Sequence, residues 1–233
     1  MSDAALELRA VSAGYGPITV LRNVDLRVPS GSLVALLGAN GGGKSTMLRV
    51  IAGQLPASAG DVFLAGRRVN GAAPDELARR GVCLIPEGKG IFPNLSVREN
   101  LWIATHTGTT LKALEEVAYT RFSILGERRR QLAGTLSGGE QQMLAMARAL
   151  ATNPALLLLD ELSMGLAPIV VEQLYEIVAQ VAAEGVSILV VEQFARAVLG
   201  IADWVGIMAR GRISGFGTPS AMEAELSTAY LGE

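Results

Sequence analysis

Hydrophobic positions along this chain fall into two kinds of run. In the first kind they alternate with polar ones. Residues 5–11 (ALELRAV) show the period of two expected of a strand with one wet face. Residues 18–28 alternate again, with Val20, Val24, Leu26 and Val28 set against Arg22, Asn23, Asp25 and Arg27. Gly14-Tyr15-Gly16-Pro17 reads as the turn between them, and Pro29-Ser30-Gly31 as the turn that ends the second. The second kind of run has no wet face. Residues 33–37, 82–85, 156–159 and 186–191 are almost wholly apolar, as strands buried on both faces of a parallel sheet are. Residues 61–64 form a shorter strand. Helical spacing covers 46–52, 112–124, 139–150 and 169–183, and Ser96-Val97-Arg98-Glu99 reads as a capping box opening a helix to about residue 104. A hairpin is expected over 204–209 and 213–216 around Arg210-Gly211, and a last helix over 220–230.

Strands that alternate with helices predict an α/β fold around a mainly parallel sheet. The expected division is a core of 1–86 and 151–233, including an N-terminal antiparallel portion, and an inserted helical subdomain over 87–150.

One stretch stands out. Residues 38–46, GANGGGKST, fit G-x-x-x-x-G-K-[ST] between an apolar strand and a helix. That context is what a phosphate-binding reading requires. Glycines let several N–H groups turn toward one anion, and the helix adds the positive end of its dipole. Gly38, Asn40, Gly41, Gly42, Gly43 and Thr46 are the expected cradle. Lys44 is expected to reach the β- and γ-phosphates, and Ser45 to place its hydroxyl on Mg²⁺.

Composition narrows the field. The chain has 233 residues, half of them hydrophobic and 18% charged. A buried core is expected and wholesale disorder is excluded. The formal charge of −2, from 20 basic and 22 acidic residues, gives no electrostatic case for nucleic-acid binding. Cys83 is the single cysteine. It fits a reducing compartment and reads as a small buried strand residue. No signal-peptide pattern opens the chain. No apolar run reaches the ~18 residues of a membrane span, although mean hydropathy is positive, +0.36.

Two further constellations bear on chemistry. Asp160 and Glu161 follow the 156–159 strand at its carboxyl end, where α/β folds bind ligands. The aspartate is expected to hold Mg²⁺ and the glutamate to act on the attacking water, since phosphoryl transfer needs mainly positioning and charge stabilisation. Ser137, Gly138 and Gly139 sit at a helix start, a second anion-binding geometry. His106, the only histidine, reads as a surface or packing residue. Arg128, Arg129 and Arg130 read as a solvated helix face.

The phosphate loop, then LSGGEQQ (136–142), then LLLLDE (156–161), in that order, resemble the ATP-binding cassette (ABC) ATPases over nearly the whole chain. The resemblance implies a P-loop, RecA-like α/β fold with an N-terminal antiparallel β subdomain. It implies a head-to-tail dimer of cassettes, homo- or heteromeric, with ATP between the phosphate loop of one and Ser137–Gly139 of the other. Tyr15 matches the aromatic that stacks on adenine; the other reading is a turn aromatic packed on the core. The segments 85–95, 161–168 and 190–193, with Glu127-Arg128-Arg129-Arg130, are similar to the shorter ATPase of branched-chain amino acid importers. That implies two membrane permeases, a substrate-binding protein reached indirectly, and a cytoplasmic seat on the inner face of a prokaryotic membrane. Trp102 and Phe92 read as helix-spaced core aromatics, with docking to the permeases as the other reading.

The chain departs from the common ABC pattern at Glu87, where most cassettes have glutamine, and at Gln193, where most have a histidine near the γ-phosphate. The resemblance gives Glu87 to the metal and Gln193 to catalysis. Leu162 stands where proline is usual. A non-transport ABC ATPase, and a regulatory cassette with weak turnover, remain the competing readings.

Overall fold

The computed structural model describes residues 4–88, 90–193 and 196–226, with only the backbone at 106, 107, 196 and 197. Its strands form two sheets. β1 (Ala4–Tyr15), β2 (Ile18–Pro29), β4 (Ala59–Leu64) and β5 (Arg67–Arg68) make an antiparallel sheet in the order β2-β1-β4-β5. β3 (Leu33–Leu37), β6 (Val82–Ile85), β7 (Leu156–Asp160), β8 (Ser187–Glu192), β9 (Trp204–Ala209) and β10 (Arg212–Gly217) make the second, in the order β10-β9-β3-β8-β7-β6. All its pairs are parallel except β9–β10.

The fully apolar runs are buried on both faces in β3, β7 and β8, as expected. Leu33, Ala35, Leu37, Leu157, Leu159, Ile188 and Val190 face one cluster. It is completed by α6 (Gly138–Leu150) and α7 (Pro168–Ala183). Val34, Leu36, Leu156, Leu158, Leu189 and Val191 face the other, with α1 (Lys44–Ile51) and the antiparallel sheet. β6 is different. It lies at the sheet edge, so Cys83 and Leu84 are half-buried rather than enclosed. Burial still pushes the Cys83 thiol up to about 11, against the opposing pull of Arg148 and Thr152.

Several sequence expectations are corrected. Val20 is half-buried and Leu21 takes the core position instead. The pairing of β1 with β2 shifts register between Leu8 and Gly14, and Ala10 and Asn23 have φ of 49° and 50°. An extra residue in a strand reverses which side faces inward, so the alternation changes phase there. Gly14 and Tyr15 belong to β1, leaving Gly16-Pro17 as the tight turn. The helix expected over 112–124 is two. α4 (Leu111–Arg121) stops at Phe122, whose φ of −135° and ψ of 77° are not helical, and α5 (Ser123–Glu127) restarts after it. The Phe122 ring is buried in the core, which sets the break.

Helix α2 (Pro74–Arg79) carried no apolar period, because only Leu77 is buried. It carries two exposed i,i+4 ion pairs, Asp75–Arg79 and Glu76–Arg80, each a weak contribution at the surface. α3 (Val97–Ile103) opens with the expected capping box of Ser96 and Glu99. Arg128 is not on a solvated helix face: it follows α5 and pairs with Glu140 at 3.1 Å. Trp102 and Phe92 are not core residues; they are 60% and 44% exposed. Two short helices, α8 (Arg196–Leu199) and α9 (Glu223–Leu226), lie before β9 and after β10. Of the expected 220–230 helix, residues 220–222 are turn rather than helix and 227–230 lie outside the described residues, as does the His106 side chain. Among the described residues no helix is long and apolar enough to cross a membrane.

Candidate functional site

Sheet register builds the site. Leu37 of β3 pairs with Glu192 of β8, and Val191 of β8 pairs with Asp160 of β7. One step further out, Ile85 of β6 pairs with Leu159. The carboxyl ends of four adjacent strands therefore finish in nearly one row. The phosphate loop, Gln193, Asp160-Glu161 and Glu87 all leave the sheet there.

The loop itself is shaped by close backbone approach. A Cβ on Gly38 would lie 2.2 Å from the Met208 carbonyl oxygen, so only glycine fits where the loop passes β9. Gly43 has φ of 105°, a conformation open to glycine. It caps α1 with no side-chain hydrogen bond, and no acidic residue stands in the first turn. The orphan N–H groups of that helix start thus face the loop interior without a protein carboxylate to meet them. Asn40, Gly41, Gly43, Lys44, Ser45 and Thr46 line a cavity of about 480 Å³ together with Val20, Glu87 and Glu161.

Lys44 is buried. Its Nζ donates to the Gly38 carbonyl at 2.7 Å and to the Ala39 carbonyl at 3.2 Å. It also pairs with Glu161 Oε1 at 3.2 Å. Ser45 Oγ donates to Asp160 Oδ1 at 3.0 Å. Burial raises the Asp160 pKa above the usual carboxylate value, the Ser45 hydrogen bond opposes this, and the charges of Glu161 and Glu87 push it up again. Glu87 itself is exposed on the turn after β6. Ser45, Asp160 and Glu87 are oxygen donors of the hard type that suits Mg²⁺. A buried carboxyl with its proton affinity raised by two neighbouring carboxylates is an environment that a divalent cation relieves. The residues fit the ion.

Glu161 has φ of 48°, left-handed backbone that costs roughly 1–3 kcal/mol in a non-glycine residue unless its surroundings hold it. Gln193 follows Glu192 in a bend and is half-buried. Tyr15 is 42% exposed rather than packed on the core. Burial acts to raise its hydroxyl pKa but is outweighed by hydrogen bonds with Thr46 and Arg49, which lower it; Arg49 donates to it at 3.1 Å. Those contacts tie the Tyr15 hydroxyl to α1, at Thr46 near its start and at Arg49 in its last turn.

Ser137, Gly138 and Gly139 stand apart from this cavity and open α6. Ser137 forms a second capping box: Glu140 Oε2 accepts from the Ser137 N–H at 2.8 Å, and Ser137 Oγ accepts from the Glu140 N–H at 3.3 Å. The box was legible as S-x-x-E in the sequence. Gly139 is buried, and a Cβ there would meet Val170 of α7 at 2.5 Å. Sequence reasoning also missed Ser163, Tyr175 and Glu192, which join by hydrogen bonds behind Glu161. Its one signal was an acidic residue ending an apolar strand.

A phosphate loop at the head of a parallel sheet, with an acidic pair on a strand two places away, defines a nucleotide-binding α/β protein of the P-loop class. The "ABC transporter" family profile matches residues 21–163, a span holding the phosphate loop, LSGGE and Asp160-Glu161. The chain belongs to that family. It is 40% identical over 232 residues to the high-affinity branched-chain amino acid transport ATP-binding protein BraG of Pseudomonas aeruginosa, covering 97% of this chain and 99% of that one. It is 35% identical over 215 residues to a probable branched-chain amino acid transport ATP-binding protein, LivF, of Archaeoglobus fulgidus, covering 91% of each. Among solved structures it resembles an ATP-binding cassette of an ABC transporter in its ADP conformation, with a TM-score of 0.85, 25% identity and 99% of each chain covered.

Proposed function

We propose that this chain hydrolyses MgATP to ADP and phosphate and thereby energises an importer of branched-chain or other apolar amino acids. The observation that carries the chemistry is the buried contact of Glu161 with Lys44, beside the Ser45–Asp160 hydrogen bond. The cargo class is carried by the names of the two relatives.

In this reading the N–H groups of the loop and of the α1 start hold the phosphates. Tyr15 stacks on the adenine from the exposed end of β1. Ser45, Asp160 and Glu87 would hold Mg²⁺, which when bound neutralises charge on the phosphates. Lys44 exchanges its bonds to Glu161 and the loop carbonyls for phosphate oxygens. The exchange frees Glu161 Oε1 to accept a proton from the attacking water. The Gln193 amide donates to the γ-phosphate side without becoming a cation. Ser137, Gly138 and Gly139 lie outside the phosphate-loop cavity, which supports their serving the site of a second cassette, homo- or heteromeric, in a head-to-tail pair. Two permeases in the membrane complete the assembly, with this chain on the cytoplasmic side and a substrate-binding protein on the other. The exposed Trp102 and Phe92 are candidates for the permease contact. The formal charge of −2 gives no electrostatic case for nucleic acid.

Glu161→Gln tests the reading. Expected are retention of bound ATP and loss of steady-state phosphate release. Unchanged hydrolysis would remove Glu161 from its role. A wild-type chain that binds ATP without turnover in the assembled complex would make it a regulatory cassette instead.

A further inference from the structure

Glu192 ends β8, one residue before Gln193, and is 2% exposed. A carboxyl group this deep is costly to bury unless it is hydrogen-bonded. Here both oxygens are engaged. Oε1 accepts from the Ser163 backbone N–H at 3.0 Å and from the Tyr175 hydroxyl at 2.6 Å. Oε2 accepts from the Ser163 hydroxyl at 2.8 Å. Burial, and then Glu192 itself, raise the Tyr175 pKa well above 10, so that hydroxyl remains a donor.

Ser163 lies two residues beyond Glu161, on the loop that joins β7 to α7. Glu161 begins that loop in left-handed backbone. On its near side the Glu161 N–H donates to the Val191 carbonyl at 2.9 Å. On its far side the Met164 N–H donates back to the Glu161 carbonyl at 3.2 Å, and Glu192 grips Ser163 between them. Both anchors of Glu161 therefore come from consecutive residues of β8: the main chain of Val191 and the side chain of Glu192. The next residue is Gln193.

We propose that Glu192 is a positioning residue for hydrolysis, clamping Ser163 to the end of β8 so that Glu161 keeps its strained conformation in register with Gln193. The inference rests on the reading of Glu161 as the residue that acts on water. Without the clamp, the 161–165 turn loses its far anchor and Glu161 can relax. The phosphate loop is tied down through main chain, by the Gly38 N–H on the Glu192 carbonyl at 3.2 Å and the Gly211 N–H on the Gly42 carbonyl at 2.8 Å; a change of the Glu192 side chain leaves both bonds in place, so nucleotide affinity is untouched.

The test compares full-length wild type, Glu192→Ala, Glu192→Gln, Ser163→Ala and Glu161→Gln. MgADP affinity is read by calorimetry, and kcat and KM for MgATP are read per nucleotide-binding site. Glu192→Ala is expected to bind MgADP within about twofold of wild type and to lose about 100-fold in kcat, the scale of a misplaced catalytic group. Glu192→Gln keeps an oxygen for the Ser163 N–H and Tyr175 bonds, and its amide donates to the Ser163 hydroxyl, so kcat should return to within about fivefold. Ser163→Ala removes one bond only and should lose about tenfold in kcat with KM unchanged; it carries the test if Glu192→Ala does not fold. Wild-type kcat in Glu192→Ala, or in its substitute Ser163→Ala, beside an inactive Glu161→Gln overturns the proposal and leaves the function standing. Equal losses of affinity and kcat in Glu192→Ala, unrelieved by Glu192→Gln, reduce Glu192 to packing and also overturn it. A fully active Glu161→Gln removes the reading of Glu161 and the proposal with it.

Discussion

Lys44 and Glu161 form an ion pair of 3.2 Å with side chains only 3% and 7% exposed. The lysine comes from the phosphate loop and the glutamate from the end of β7, so the pair closes the cavity from both sides. Removing one partner of a buried pair strands the other charge. Lys44→Met should therefore destabilise the chain by about 3 kcal/mol, near the low end for such losses. Lys44→Met with Glu161→Leu should recover most of that, because two apolar groups leave no orphan charge. Denaturant titration reads both. Equal instability of the single and double variants would show that the two charges are not coupled. Neither variant should gain melting temperature from ATP, since the lysine is gone.

A second expectation concerns the helix start at the LSGGE stretch. Gly139 lies where a Cβ would meet Val170 Cγ1 at 2.5 Å. Gly139→Ala should push α7 away from α6 at a cost of about 1–3 kcal/mol, the usual range for overpacking. Adding Val170→Ala removes the obstructing methyls and should restore part of the loss. A double-variant cycle on melting temperature measures the coupling; strictly additive effects would rule out the contact.

Much of this arrangement was readable beforehand, for identifiable reasons. β3, β7 and β8 carry apolar residues on both faces because both faces are covered, and that leaves an unbroken run in the sequence. The phosphate loop was readable because glycine is demanded where Gly38 passes Met208 and Gly43 turns left-handed. Other features depend on tertiary placement. That β6 lies at an edge, and so half-exposes Cys83 and Leu84, is a property of strand order. The phase change at Leu21 follows from a bulge whose left-handed residues, Ala10 and Asn23, are not glycine. The break at Phe122 is set by where its ring is buried. Tyr175 and Ser163 looked like ordinary helix and loop residues because the carboxyl group they serve lies on another strand.

Asp160 gives a pH expectation whose sign is definite. Its folded-state pKa is raised, first by burial and then by Glu161 and Glu87 against the Ser45 bond. A carboxyl group of this kind binds its proton more tightly folded than unfolded. The stability it contributes is complete below the unfolded value of 3.8 and is lost as pH rises through the raised folded value. At neutral pH without Mg²⁺ the ionised group is a liability. The stability of Asp160→Asn relative to wild type should thus be highest near neutral pH and decline as pH falls toward 3.8, whatever the constant offset from altered hydrogen bonds. Denaturant titrations at several pH values in EDTA measure it. A difference that grows toward acid would contradict the environment described. Adding MgATP should stabilise wild type and leave the variant nearly unchanged.

The exposed aromatics carry the last expectation. Trp102 is 60% exposed on α3; Phe92, whose carbonyl accepts from Asn100, is 44% exposed, and Leu132, bridged to Ser96, is 49% exposed. Asn100 is fully buried and donates to the carbonyls of Phe92, Leu95 and Ser96, so the segment before α3 is rigidly tied to it. A rigid segment that shows an indole to solvent has no folding reason to do so. Trp102→Glu should shift stability by no more than about 0.5 kcal/mol, as surface changes do, and leave ATP turnover of the isolated chain intact. If α3 faces the permeases, the same variant should lose co-purification with the membrane subunits and any stimulation of turnover by them. Retention of both would place the permease contact elsewhere on the molecule and return Trp102 to the ordinary exposed surface.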